Sequence, residues 1–448
     1  MSGSLSAIGI VSDTPSSEAI ERSAIGKIYR HLISYILLAF FVCFLERTNV
    51  AFAALEFRRE LGFSATTFGT GASIFFLTYI ALTLPSTALL RWAPPHVWIC
   101  RMLILWGLLT AATALVHGAW SFYLVRALLG ASEACFFPFI IAYTSAWLPE
   151  KYRARMMGIY MLGIPLSGLI GSPISGTLID AMHGVAGISG WKWMFIVEGI
   201  PATLLGLAGF RMLIAKPENA AWLNVREREW LVGRLEADKA GKVVLDSKSV
   251  SVRSVCLKPS VIALGLCYAL AAFNMYGITY FLPQIVGDGR HMSNTVVGFT
   301  SAIPFLAGAV GMIILPWLAD RQGRHQHYSV GALIAGAAGF LFAGFALSAP
   351  VIALTGLCVA AVGIWAATPL ILSLPLKYFT GSAIAPVIAV LTSIGNIGAA
   401  TGPVMTGVLR DRTGDFLLPL LIFAAAMTIA ALLVVAAIRL QSREGSAI

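Results

Sequence analysis

The chain has 448 residues, of which 58% are hydrophobic and 12% charged, and its formal net charge is +10 at pH 7. A soluble domain carries roughly 25% charged residues, so this composition excludes a water-soluble enzyme or a nucleic-acid-binding domain and defines an integral membrane protein. Its apolar runs are continuous rather than alternating in polarity, which excludes a membrane β-barrel.

Residues 1–28 are polar and small, with no apolar core ahead of a cleavage site, and read as a disordered cytosolic leader. Six apolar segments follow, near residues 30–54, 66–90, 97–116, 120–147, 154–180 and 192–214. Each is long enough to cross a ~30 Å hydrocarbon core at 1.5 Å per residue. A hydrophilic stretch, residues 216–256, carries Glu227, Arg228, Glu229, Arg234, Glu236 and Lys239 at spacings suited to a surface helix, and reads as a cytoplasmic linker. Six further segments lie near 257–286, 295–318, 328–348, 350–376, 383–409 and 416–438. The expected fold is all-α: twelve transmembrane helices in two six-helix bundles, 29–215 and 257–440, with a cytosolic tail at 441–448. Placing both termini in the cytoplasm assigns about 23 of the 31 Lys and Arg to that side and only about six to outer loops, as the positive-inside rule requires.

An internal repeat supports the division. Gly168-Leu-Ile-Gly171-Ser-Pro173-Ile-Ser-Gly176-Thr-Leu-Ile-Asp180 in the fifth span echoes Gly398-Ala-Ala-Thr-Gly402-Pro403-Val-Met-Thr-Gly407-Val-Leu-Arg-Asp411 in the eleventh. Parallel duplication of six-span units, with a site between them near the midplane, is a transporter architecture. The glycines allow close helix contact there.

Four charged side chains interrupt the apolar spans: Glu46 and Arg47 in the first, Arg126 and Glu133 in the fourth. An ionisable group at bilayer depth is costly and persists where it faces a water-filled path or a partner. The first span runs outward and the fourth inward, so Arg47 and Arg126 fall at similar depth, and two guanidiniums at one level suit a carboxylate. Arg126 and Glu133, seven residues apart, share one helix face and can line one cavity. The charges could instead merely neutralise one another within each span. The second half offers polar partners in place of charges: Asn274 and Tyr276 in span seven.

Other chemistry has little support. Six cysteines are scattered singly and read as small core hydrophobes, and seven histidines lie mainly at loops or helix ends without a ligand set. With neither a Gly-Lys-Ser/Thr phosphate loop nor a nucleophile elbow, the chain reads as no enzyme, and no cofactor is expected beyond the proton as coupling ion.

The chain resembles the major facilitator superfamily, and within it the anion:cation symporters of small organic acids, over roughly residues 29–440. The most specific piece is Arg126-Ala-Leu-Leu-Gly130-Ala-Ser-Glu133-Ala-Cys-Phe136-Phe-Pro138, followed by Trp147-Leu-Pro149-Glu-Lys-Tyr-Arg153-Ala-Arg155. Glu46-Arg47-Thr-Asn49 stands where the family usually has Asp-Arg-x-Asn, and Gly190-Trp191-Lys-Trp193 through Glu198 and Gly395-Asn396-Ile-Gly398 match further motifs. The resemblance implies that Asn396, Tyr79 and Trp365 contact substrate. It also implies that the hairpin Asp320-Arg321-Gln-Gly323-Arg324 takes part in gating; Pro316 replaces that motif's leading glycine, and the matching hairpin after span two has decayed to Arg91-Trp-Ala-Pro94-Pro95.

The expected function is a proton-coupled symporter that imports a small organic anion by alternating access, in a bacterial-type inner membrane and as a monomer. Glu46 and Glu133 take up protons, which frees Arg47 and Arg126 for the anion. A proton-coupled exporter or exchanger of aromatic compounds is the alternative. Aromatic acid, dicarboxylate and sugar acid all fit as cargo. The abundance of Phe75, Phe76, Phe136, Phe137, Phe139 and Phe273 against few amides (Asn274, Gln284, Asn396) favours an aromatic or compact carboxylate over a polyhydroxylated one.

Overall fold

The computed structural model describes residues 17–246, 257–287, 291–375 and 384–445, and among these every regular element is helical. Helix α1 (Ser17–Ile28) leads through a short π-helical turn (Tyr29–Ile33) into α2 (Ser34–Glu60). The first half continues with α3 (Ala65–Ser86), α4 (Pro95–Ala112), α5 (Ala119–Glu133), α6 (Phe136–Trp147), α7 (Glu150–Ala181) and α8 (Gly190–Met212). After α9 (Val225–Asp246) the second half comprises α10 (Pro259–Gly287), α11 (Asn294–Gln322), α12 (His325–Phe345), α13 (Pro350–Ser373), α14 (Ile384–Thr413) and α15 (Leu417–Gly445). Among the described residues, twelve segments are long and apolar enough to span a bilayer. Leu204, Ile313 and Leu432 are more than half exposed, at 58%, 54% and 64%, on an apolar outer surface that suits lipid rather than water.

One expectation at the ends is corrected. Ser17–Ile28 is helical, so the leader is not disordered up to residue 28, and α15 continues past residue 440. Helix α1 is ordered because it has a partner. Lys27 Nζ and Ser23 Oγ donate to the two oxygens of Glu227 at 2.7 and 2.6 Å, and His31 stacks on Trp222, which stacks on Trp147. Burial alone would raise the Glu227 carboxyl, yet the bonds from Lys27, Ser23 and the Asn224 N–H hold it below the usual carboxylate range. The linker helix α9 is thereby docked against α1. Linker residues 247–256 lie outside the described residues.

The fourth span, expected as one helix over 120–147, is broken into α5 and α6 at Ala134 and Cys135. Pro138 is the cause: it has no N–H to return to the Ala134 carbonyl and its ring crowds that oxygen, so the ladder is interrupted just beyond Glu133.

The halves meet where α7 crosses α11, α3 crosses α14 and α2 faces α10. An even number of spans puts both termini on one face. At the opposite, far face the halves are in contact, and towards the terminal face they part around a cavity.

Candidate functional site

The cavity has a volume of about 240 Å³ and lies in the half of the molecule nearer the terminal face. Phe40, Cys43, Phe44 and Arg47 line it from α2, Tyr79 and Thr83 from α3, and Glu133, Phe136, Phe137 and Pro138 from the broken fourth span. The second half contributes Tyr268, Ala272, Met275 and Tyr276 from α10, Thr368 from α13, and Thr392, Ser393, Gly395 and Asn396 from α14.

The ion pair on its wall crosses between helices. Arg47 Nη2 is paired with Glu133 Oε1, linking α2 to α5, and Arg47 Nη1 donates to the Tyr276 hydroxyl at 3.2 Å on the opposite half. The guanidinium lies 4.5 Å from the Phe44 ring centre and 5.9 Å from that of Tyr79. Cys43 Sγ is 3.9 Å from the same Glu133 oxygen, while Glu133 Oε2 is buried and without a partner. A buried Arg–Glu pair is held by mutual compensation, and removing either charge strands the other.

Arg126 and Glu133 share a helix face as expected but do not pair. Arg126 is 2% exposed, donates from Nη2 to the Tyr280 hydroxyl at 3.1 Å, and sits 4.7 Å from the Phe75 ring centre, with Nε unpartnered. Arg47 lies 5.5 Å from that same ring. Phe75 therefore serves both cations as a neutral platform through its negative π-face. Tyr276 and Tyr280 are one turn apart on α10 and present their hydroxyls to the two arginines. Nothing in the sequence marks Phe75 as an arginine partner, and for Tyr280 the signal is its four-residue spacing from Tyr276.

Glu46 does not line the cavity with its neighbour Arg47. Adjacent helix residues point about 100° apart, and Glu46 turns away from the cavity, accepting from Thr110 Oγ1 at 2.7 Å while Oε1 has no partner. Asn49, one turn along, donates to Glu198 at 2.8 Å, and Ser175 donates to the other Glu198 oxygen at 2.7 Å. Glu198 thus ties α2 to α7 and α8.

In the second half, Tyr276 and Asn396 line the cavity together with Tyr79 from the first. Trp365 lies deeper, in a small annex shared with Arg47, Tyr276 and Tyr280, its ring edge-on to Phe305. Asn274 does not reach the site: its amide donates to the Leu270 carbonyl at 2.7 Å on its own helix. The hairpin expected to take part in gating lies between α11 and α12. Asp320 pairs with His325 at 3.3 Å, Arg321 lies over Trp317, and Arg324 is exposed. Phe76, Phe136 and Phe137 line the cavity, but Phe75 lies under the arginines, Phe139 packs near Trp98 and Phe273 against Phe423. Seven hydroxyl side chains share the wall with them.

Twelve spans in two halves around a cavity holding buried charge define a secondary transporter, not an enzyme. The chain matches the Major Facilitator Superfamily model over residues 36–403 and 264–447. It belongs to that family. It is 39% identical to a protein of Agrobacterium vitis named "Putative tartrate transporter", over 92% of this chain and 91% of that one. A "Quinolone resistance transporter" of Acinetobacter baumannii is 33% identical, with 88% and 90% covered. The crystal structure of a D-xylose-proton symporter superposes with a TM-score of 0.71 at 14% identity, over 90% of this chain and 96% of that one, and shares the fold.

Proposed function

We propose that the protein is a proton-coupled symporter importing a small organic anion, of the anion:cation symporter branch, with both termini cytoplasmic and the cavity facing inward. The observation that carries this reading is the Arg47–Glu133 pair on the cavity wall. While Glu133 is ionised it occupies the guanidinium; a proton on Glu133 releases Arg47 to bind a substrate carboxylate through its planar fork. Arg126, whose polar partner is a neutral hydroxyl, supplies a second cation. Tyr79, Tyr276, Asn396 and, deeper, Trp365 contact the rest of the substrate. Glu46 acts from outside the cavity as an accessory proton site, Asn274 shapes α10, and Asp320, Arg321 and Arg324 engage the first half when the inner side closes.

The hydroxyls on the wall and the name of the Agrobacterium vitis relative both favour a compact hydroxycarboxylate over a purely aromatic acid. A second reading, proton-coupled export or exchange of aromatic compounds, draws on Phe40, Phe44, Phe76, Phe136 and Phe137 in the wall and on the relative named for quinolone resistance. Proteoliposomes decide between them. Under an inward acid gradient the symporter accumulates labelled tartrate or an aldonate above equilibrium; gradient-driven extrusion of a quinolone without such accumulation selects the second reading.

A further inference from the structure

The repeat in spans five and eleven ends each time in Gly-x-x-x-Asp, Gly176 to Asp180 and Gly407 to Asp411. The structure gives both copies one job, which the cavity chemistry does not use. Asp180, on α7 of the first half, receives the first two backbone N–H groups of α11 in the second half: Asn294 at 3.3 Å and Thr295 at 2.7 Å. Asp411, on α14 of the second half, receives the first two N–H groups of α3 in the first: Ala65 at 3.0 Å and Thr66 at 2.7 Å. Each receiving helix opens with Ser-x-Thr-x-x-Gly, at Ser64 and Ser293. Those serines accept the third N–H, from Thr67 at 3.1 Å and Val296 at 3.3 Å.

The orphan donors of both helix starts are thus met jointly by their own serine and by a carboxylate from the opposite half. Glycines make the approach possible. A Cβ at Gly176 would stand 2.3 Å from the Asn294 oxygen and one at Gly298 2.5 Å from that of Ser172. The other crossing has the same pattern, with Gly407 2.2 Å from the Ala65 oxygen and Gly69 2.4 Å from that of Pro403. Side chains add to both: Thr295 Oγ1 and Asn294 Nδ2 donate to Asp180 at 2.7 and 3.0 Å, and Ser73 Oγ accepts from the Val404 N–H at 3.1 Å.

We propose that these two crossings form a paired carboxylate latch that holds the far face shut and must release at both points for the cavity to open there. Each aspartate bond runs between halves, so none of these survives their separation, and water takes over the freed N–H groups. The symmetric placement makes the two releases act together as the halves rock.

The test measures far-face separation directly, in full-length protein without substrate, and so does not depend on what is carried. Spin labels are placed at Val185 and Ser348, on far-face loops of the two halves, with the native cysteines replaced, and their distance is read by pulsed electron resonance. Asp180→Asn and Asp411→Asn should each raise the ratio of long to short distances about tenfold or more, as expected for losing charge-assisted bonds, and the double variant should raise it further. Thr295→Val, which removes one side-chain bond and leaves the backbone intact, should shift the ratio in the same direction by less. An unchanged distribution in the folded double variant overturns the latch. A shift from one aspartate alone overturns the pairing.

Discussion

Arg47 closes on Glu133 across two helices rather than on its chain neighbour Glu46, and the same guanidinium holds the Tyr276 hydroxyl of the other half. One cation thereby reports on the state of a carboxyl in its own half and on contact with the opposite one. Glu133→Gln keeps the shape of the pair and removes its charge. The variant is expected to lose uphill, pH-driven uptake while retaining counterflow exchange. Measured in proteoliposomes, concentrative uptake at the wild-type level would exclude Glu133 as the coupling group.

Arg126 is buried on Phe75 and Tyr280, and no carboxylate among the described residues is bonded to it. Arg126→Ala is expected to cost about 2 to 5 kcal/mol of substrate affinity, the usual loss when one member of a buried charged contact is truncated. Arg126→Lys keeps the charge without the fork and is expected to lose most of that affinity as well. Tyr280→Phe removes one hydroxyl and should cost about 1 kcal/mol. Calorimetry with a hydroxycarboxylate checks all three.

Glu46 faces Thr110 rather than the cavity. Glu46→Gln should therefore leave substrate affinity within about threefold, under 1 kcal/mol by the tenfold-per-1.4 rule, while altering how transport rate depends on pH. A collapse of affinity comparable with that of Arg126→Ala would place Glu46 against the substrate instead.

At the terminal face, the Glu227 carboxyl lies below its ordinary range. Its stabilisation is present above the ordinary carboxylate value of about 4.3 and fades as pH falls through the lower folded value. Lys27 is 35% exposed on its side chain, so solvent screens the pair and Glu227→Gln should lower the melting temperature by only about 1 to 2 °C at pH 7. Protease cleavage near residue 17 should accelerate in the variant and, in the wild type, below about pH 4.

The twelve spans were legible because continuous apolar runs of bilayer length have one economical solution, and the four intramembrane charges were legible because burial makes them costly. Side-chain direction was not. Glu46 and Arg47 differ by a rotation of about 100°, Phe75 and Phe76 by the same, and only the packed structure says which of each pair looks into the cavity. Asn274 looked like a polar reach across the site, yet its amide found a nearer acceptor one turn back on its own helix. Pro138 marks the break at Ala134, but Pro304 and Pro369 lie inside helices that stay continuous, so a proline in the sequence does not by itself locate a break. Asp180 and Asp411 close the two copies of a sequence repeat, and nothing local discloses that their partners are helix starts in the opposite half.

Phe75 holds Arg47 and Arg126 side by side without neutralising either. Two guanidiniums against the single carboxylate of Glu133 leave this cluster one positive charge in excess. Electroneutrality then ties the valence of the cargo to the proton count. Once a proton on Glu133 has released Arg47, a dianion balances the cluster, whereas a monoanion leaves one positive charge uncompensated. A dicarboxylate entering with one proton, on this count, adds one net negative charge to what crosses the membrane. Its uptake should accordingly respond to membrane voltage as well as to pH, and a potential of 100 mV is worth about 2.3 kcal/mol per elementary charge moved.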